Sequence, residues 1–158
     1  MYKDYLTAIQ QRINDRLPEV KHVAFYNEEY QHFDEARPPK LPAVYVEFDN
    51  PVSWQTAGNG LQVAPDTSIR LHLVMFDLDD HPDKLFTLAQ KLHQAMHGFE
   101  IYDAGGQKLS TAWMRIGSGT EKYDQIKTAI LTYSMALYDT STLPDETEVS
   151  VQLNVEHH

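Results

Sequence analysis

The amino-acid sequence predicts an α+β fold: a two-layer sandwich in which two amphipathic helices cover one face of a mostly antiparallel sheet. Three observations carry this. Two segments repeat apolar residues at the helical period, and several others alternate them at the period of a strand. Two helices with one apolar face each and a mostly antiparallel sheet bury all three faces most simply as a two-layer sandwich. At 158 residues with 42% hydrophobic content the chain is the size of one domain.

Residues 2–17 read as the first helix, with Leu6, Ile9, Ile13 and Leu17 on one face and Pro18 closing it. A short strand is expected at 21–27 and a long exposed loop at 28–42, which holds three prolines together with Tyr30, His32 and Phe33. Residues 43–49 form the clearest strand, with Val44, Val46 and Phe48 on one side; Val52 and Trp54 continue it past a bulge. A turn-rich excursion at 55–66 then leads into a strand at 67–77 that sets Ile69, Leu71, Leu73 and Met75 against Arg70, His72, Val74 and Phe76. The two strands read as a long antiparallel hairpin with a mobile tip.

The second helix is expected at 82–97, capped by Asp80, opened by Pro82 and stopped by Gly98, with Leu85, Leu88, Ala89, Leu92, Ala95 and Met96 as its apolar stripe. Gly105-Gly106 marks a turn, and strands follow at 108–116 and 125–138. The order is α-β-β-β-α-β-β, with Leu6, Ile9, Ile13, Val46, Leu71, Leu73, Leu88, Leu92 and Ile130 expected in the core. Residues 1–139 are read as the domain. Residues 140–158 form an acidic arm with a linker over 140–147 and a strand pattern at 148–155, where Val149, Val151, Leu153 and Val155 alternate with polar residues. Glu156-His157-His158 resembles the start of an expression tag and carries no functional weight.

Charge and composition narrow the chemistry. The formal charge of −10 repels phosphate, so sequence-specific nucleic-acid binding is not expected. The absence of cysteine removes thiol nucleophiles, disulfides and cysteine-based metal sites. No run reaches membrane-spanning length, and the polar N-terminus lacks a signal-peptide core, so an intracellular product is expected.

The densest ligand-like cluster is Asp77-Leu78-Asp79-Asp80-His81-Pro82-Asp83, whose carboxylates suit a hard cation. Its spacing fails the EF-hand pattern, because Pro82 stands where that loop needs glycine, and the segment reads as a strand-to-helix loop with helix-capping acids. His93 and His97 share a helix face, but Gln94 stands where a zincin carries its glutamate. Tyr123 and Lys127 have the Tyr-x-x-x-Lys spacing of short-chain dehydrogenases without the glycine-rich fingerprint. Gly117-Ser118-Gly119-Thr120-Glu121-Lys122 lacks the Gly-Lys-Ser/Thr ending of a phosphate loop and reads as a hairpin turn. No catalytic residue, metal or cofactor is expected.

The apolar and aromatic residues in segments outside the core point instead to protein contacts. Tyr30, Phe33, Trp54, Leu61 and Val63, on the loops at 28–42 and 53–65, are the expected contact residues. Val149, Val151, Leu153 and Val155 join them, since a lone strand needs a sheet edge to pair with.

The layout over residues 1–139 resembles the tail terminator, or tail-completion, proteins of long-tailed bacteriophages and prophages. The resemblance lies in the N-terminal helix leading into Val20-Lys21-His22-Val23, and in the strand opening Leu41-Pro42-Ala43-Val44-Tyr45-Val46-Glu47. It continues in Ile69-Arg70-Leu71-His72-Leu73-Val74, a helix ending in Met96-His97-Gly98, and a long strand closing on Leu137-Tyr138-Asp139. It implies a homo-oligomeric ring, often hexameric, between the tail tube and the head-connector proteins, located in the virion and in the host cytoplasm during assembly. The arm lies outside the pattern. Two other readings remain: a small-molecule-binding or enzymatic domain using the acidic cluster at 77–83 with His72 or His81, and a monomeric or dimeric adaptor for one protein partner.

Overall fold

The computed structural model describes residues 2–26, 40–49, 51–77, 83–123, 125–141 and 143. Eight elements follow in chain order: α1 (Tyr2–Arg16), β1 (His22–Phe25), β2 (Ala43–Phe48), β3 (Gln55–Thr56), β4 (Gln62–Phe76), α2 (Lys84–Met96), β5 (Met114–Tyr123) and β6 (Ile126–Asp139). The sheet runs β1-β2-β4-β6-β5, with β3 paired to the first part of β4. All pairings are antiparallel except β1 with β2. A parallel neighbour cannot be reached through a tight turn, which accounts for the long connection over 26–42.

Both helices lie on one face of this sheet, as expected for a two-layer α+β sandwich. Alternation along the strands supplies the floor of the core: Val44 and Val46 from β2, Ile69, Leu71 and Leu73 from β4, and Leu131, Tyr133, Met135 and Leu137 from β6. Tyr5, Ile9 and Ile13 close it from α1, and Leu88, Leu92 and Met96 from α2. The helices are tied to each other where Arg12 donates to the Ala95 carbonyl at 2.9 Å and lies 5.1 Å over the Phe99 ring.

Several local expectations change. Tyr5 is fully buried while Leu6 is half-buried, so the stripe of α1 is Tyr5-Ile9-Ile13. The Tyr5 hydroxyl makes this possible by donating to the Tyr138 carbonyl, which satisfies its polar tip. Ile130 points to the open face and is only half-buried. β4 begins at Gln62 rather than 67, and the hairpin tip is a folded ribbon. There Gly60, at φ 88°, closes a turn in which the Leu61 amide donates to Asn59 Oδ1 at 3.1 Å.

The second helix starts after Asp83, whose side chain makes no capping bond; Asp80 and Pro82 lie outside the described residues. Gly98 stops it as expected, with φ 80° and its amide donating to the Trp113 carbonyl at 2.7 Å. Residues 108–113 are not a full strand but carry isolated bridges, and β5 runs over the glycines that read as a turn. Gly117 pairs with Thr132 and Gly119 with Ile130, and Ile116 sits at a register shift between Arg115 and Gly117.

Candidate interaction surfaces

The sheet's open face carries a charged network built by register. Glu47, Arg70 and Thr132 stand in one row across β2, β4 and β6, and Tyr45, His72 and Ile130 in the next. Arg70 Nε donates to Glu47 Oε1 at 2.6 Å and Arg70 Nη1 reaches Asp49 Oδ1 at 3.5 Å. The same Glu47 oxygen lies 3.1 Å from His72 Nε2, and Tyr26 stacks on the His72 ring at 4.2 Å. Burial pushes the Glu47 carboxyl up, but the hydrogen bonds from Arg70 and His72 outweigh it and hold it below the ordinary carboxylate range. Burial lowers the His72 imidazole despite Glu47. With Ala43, Tyr45, Val74 and Ile126 buried nearby, the arrangement holds polar groups within a packed face and commits His72 to Glu47.

The acidic cluster is not assembled as a ligand set among the described residues. Asp77 is clamped by Lys122 and Lys127, each at 2.9 Å, and the hydrogen bonds from these two lysines hold its carboxyl low. Asp83 precedes α2; Asp79, Asp80 and His81 lie outside the described residues. Among the described residues no group of three His, Asp or Glu side chains converges as a metal site. The structure brings the rings of His93, on α2, and His97, just past its end, to 5.0 Å, and each has a further partner: His93 Nδ1 lies 3.0 Å from the Tyr133 hydroxyl, and His97 Nδ1 accepts from the Arg115 amide at 3.5 Å. Lys127 belongs to the Asp77 clamp on β6.

Of the expected contact residues, Trp54 is half-buried and packs against the main core. Leu61 and Val63 lie at the folded hairpin tip, also half-buried, with Val63 facing Gln55 and Tyr138. Tyr30, Phe33, Val149, Val151, Leu153 and Val155 lie outside the described residues.

The apolar surface that the sequence did not single out lies along β5. This strand is an outer edge of the sheet, and Met114 and Ile116 on it are 53% and 60% exposed. Phe86, on the facing helix α2, is 63% exposed. Phe86, His93, Arg115 and Thr120 line a groove between α2 and β5. At the other edge, beside β1, the exposed rings of Tyr2 and Phe25 flank Phe48 at 5.2 and 6.1 Å. The available signal was Phe86, which stands off the apolar stripe of a helix whose other large apolar residues are buried.

No helix among the described residues is long and apolar enough to cross a membrane. No protein-family model matches the chain, and no curated protein matches it. Among solved structures it is similar to a chain of "Virion of native gene transfer agent (GTA) particle". The two are 9% identical over 85% of this chain and 94% of that one, with a TM-score of 0.49.

Proposed function

We propose that this chain is a structural subunit of a long-tailed phage or prophage particle, a tail terminator that assembles as a homo-oligomeric ring between the tail tube and the head connector, with no catalytic step of its own. The observation that carries the self-assembly is the pair of unlike sheet edges. β1 and β5 are the two outer strands of the described sheet, and each has exposed apolar side chains beside it. Edge strands offer unpaired backbone groups to another chain, and exposed apolar side chains add area to that contact. Because the two edges differ, joining them between copies is a head-to-tail contact, which closes into a ring when the rotation per subunit allows. The tail-terminator assignment comes from the sequence pattern over 1–139, and the −10 charge suits a passage that does not grip DNA phosphates. A particle component of this kind would share its setting with the gene transfer agent chain.

Light scattering across a concentration series, with and without purified tail tube protein, tests the proposal. Mass rising to a discrete oligomer is the expected result, and a monomer under both conditions overturns it. Titration calorimetry with calcium, magnesium and zinc tests the non-catalytic part. A stoichiometric micromolar site lost in Asp79→Asn would move the reading to a metal-dependent domain.

A further inference from the structure

A cleft of about 500 Å³ opens at the end of the sheet where β1 and β2 begin and β4 ends. Its floor is apolar, with Leu41, Met75 and Leu88 buried and Phe76 half-buried among them. Its rim is cationic: Lys21, Lys84 and Lys91 are all exposed there. Glu19 pairs with Lys91 at 3.3 Å, and Lys21 and Lys84 have no ion-pair partner among the described residues. Among the described lining residues the charges therefore sum to 3 − 1 = +2, in a chain whose total is −10. An apolar floor inside a positive rim suits a segment that is apolar on one side and acidic around it.

We infer that the cleft receives the C-terminal arm of a second copy of this chain. The arm has the complementary chemistry. Val149, Val151, Leu153 and Val155 alternate with polar residues, and Asp145, Glu146 and Glu148 lie beside them with no Lys or Arg over 140–158. One side of an extended arm meets the apolar floor, and its acids meet the lysines.

Reach decides which copy supplies the arm's acids. Phe76, in the cleft, pairs with Ile126 at the start of β6, whereas the arm leaves from Asp139 at its far end. Those 13 rises along β6 separate the two ends by roughly 40 Å at the usual strand rise. The ten steps from Asp139 to Val149 span at most about 33–36 Å fully extended. Asp145, Glu146, Glu148 and Val149 therefore fall short of the arm's own cleft, whereas Val151, twelve steps out at about 40–43 Å, just reaches it, so these acids can meet the lysines only in a neighbour's cleft. This inference needs only a second copy and does not rest on the virion role: it stands if the chain assembles elsewhere.

The test uses the full chain. Nitrogen-15-labelled and unlabelled copies are mixed, cross-linked with a carbodiimide that joins lysine directly to carboxylate, and read by mass spectrometry. Mixed-isotope links from Glu146 or Glu148 to Lys21, Lys84 or Lys91 are expected. A drop of about tenfold is expected when Glu146→Lys and Glu148→Lys are introduced in the arm, outside the described core. Pairing that variant with copies carrying Lys21→Glu, Lys84→Glu and Lys91→Glu, checked for an unchanged melting curve, is expected to restore the links with their charges exchanged. If the cleft variant does not fold, Lys84→Glu alone takes its place. Links confined to one copy, links to Lys122 on β5 instead, no links, or an anionic small molecule occupying the cleft in their place would each overturn the inference.

Discussion

Leu71 sits at the middle of the central strand with no exposed surface, its side chain enclosed by the helix layer. Leu71→Ala is expected to lower unfolding stability by about 2–5 kcal/mol, because the cavity adds to the lost transfer energy. Urea denaturation checks it, with a lower midpoint at unchanged slope. His72 links stability to pH. Burial holds its folded imidazole below the ordinary value of 6.5, so in the window just below that value the unfolded chain binds more protons. Stability is then full above about pH 6.5 and is lost as pH falls towards the lower folded value. His93, lowered first by burial and then by Arg115 and His97, adds in the same direction. The groups acting on His72 are Glu47, Glu121 and Arg70, with Tyr26 stacked on its ring. His72→Gln is expected to flatten the decline below about pH 6.5 in urea midpoints, and an unchanged profile would remove His72 from it.

At the scale of elements, β5 is the strand whose sequence and setting disagree. Glycine weakens a strand interior, and its presence in one often marks close approach by another backbone. A Cβ built on Gly119 meets nothing within 4 Å, so the fold itself does not require glycine there. Gly119→Thr is therefore expected to stabilise the single chain by up to about 1 kcal/mol while weakening self-association at the β5 edge. Thermal unfolding of dilute protein and light scattering of concentrated protein check the two halves separately. Association unchanged by Gly119→Thr and by Ile116→Lys would take β5 out of the interface. The same glycines explain why this strand was not legible: turn chemistry and an edge strand place glycine for different reasons, and spacing alone does not separate them. α1, α2 and the central strands were legible because each buries one apolar face, so its period is written in the residue pattern.

For the whole molecule, the core closes within the elements from α1 to β6, with the arm beyond Asp139. Deleting residues 140–158 is expected to leave a single cooperative unfolding transition within a few degrees of the full chain, because every residue of the described core is kept. Association is expected to fall. A lost transition would show that the arm completes the domain, and unchanged association would show that the arm is not what joins the copies. The expected contacts at Tyr30 and Phe33 lie outside the described residues, and exposed apolar side chains that the structure does show include Met114 and Ile116 on β5 and Phe25 on β1.

The sequence by itself determined the α+β class, the two helices, the central strands and the faces they bury, because these follow from local periodicity against one core. Strand order, the parallel β1–β2 pair and the role of β5 as an edge depended on tertiary structure, since pairing partners distant in sequence leave no periodic mark. The commitment of Asp77 to Lys122 and Lys127, of His93 to Tyr133 and of His72 to Glu47 was likewise decided only there. A side chain's chemistry is set by what the fold brings within about 3 Å of it, and the convergence of Lys21 with Lys84 and Lys91 around one apolar cleft is a product of that same long-range packing.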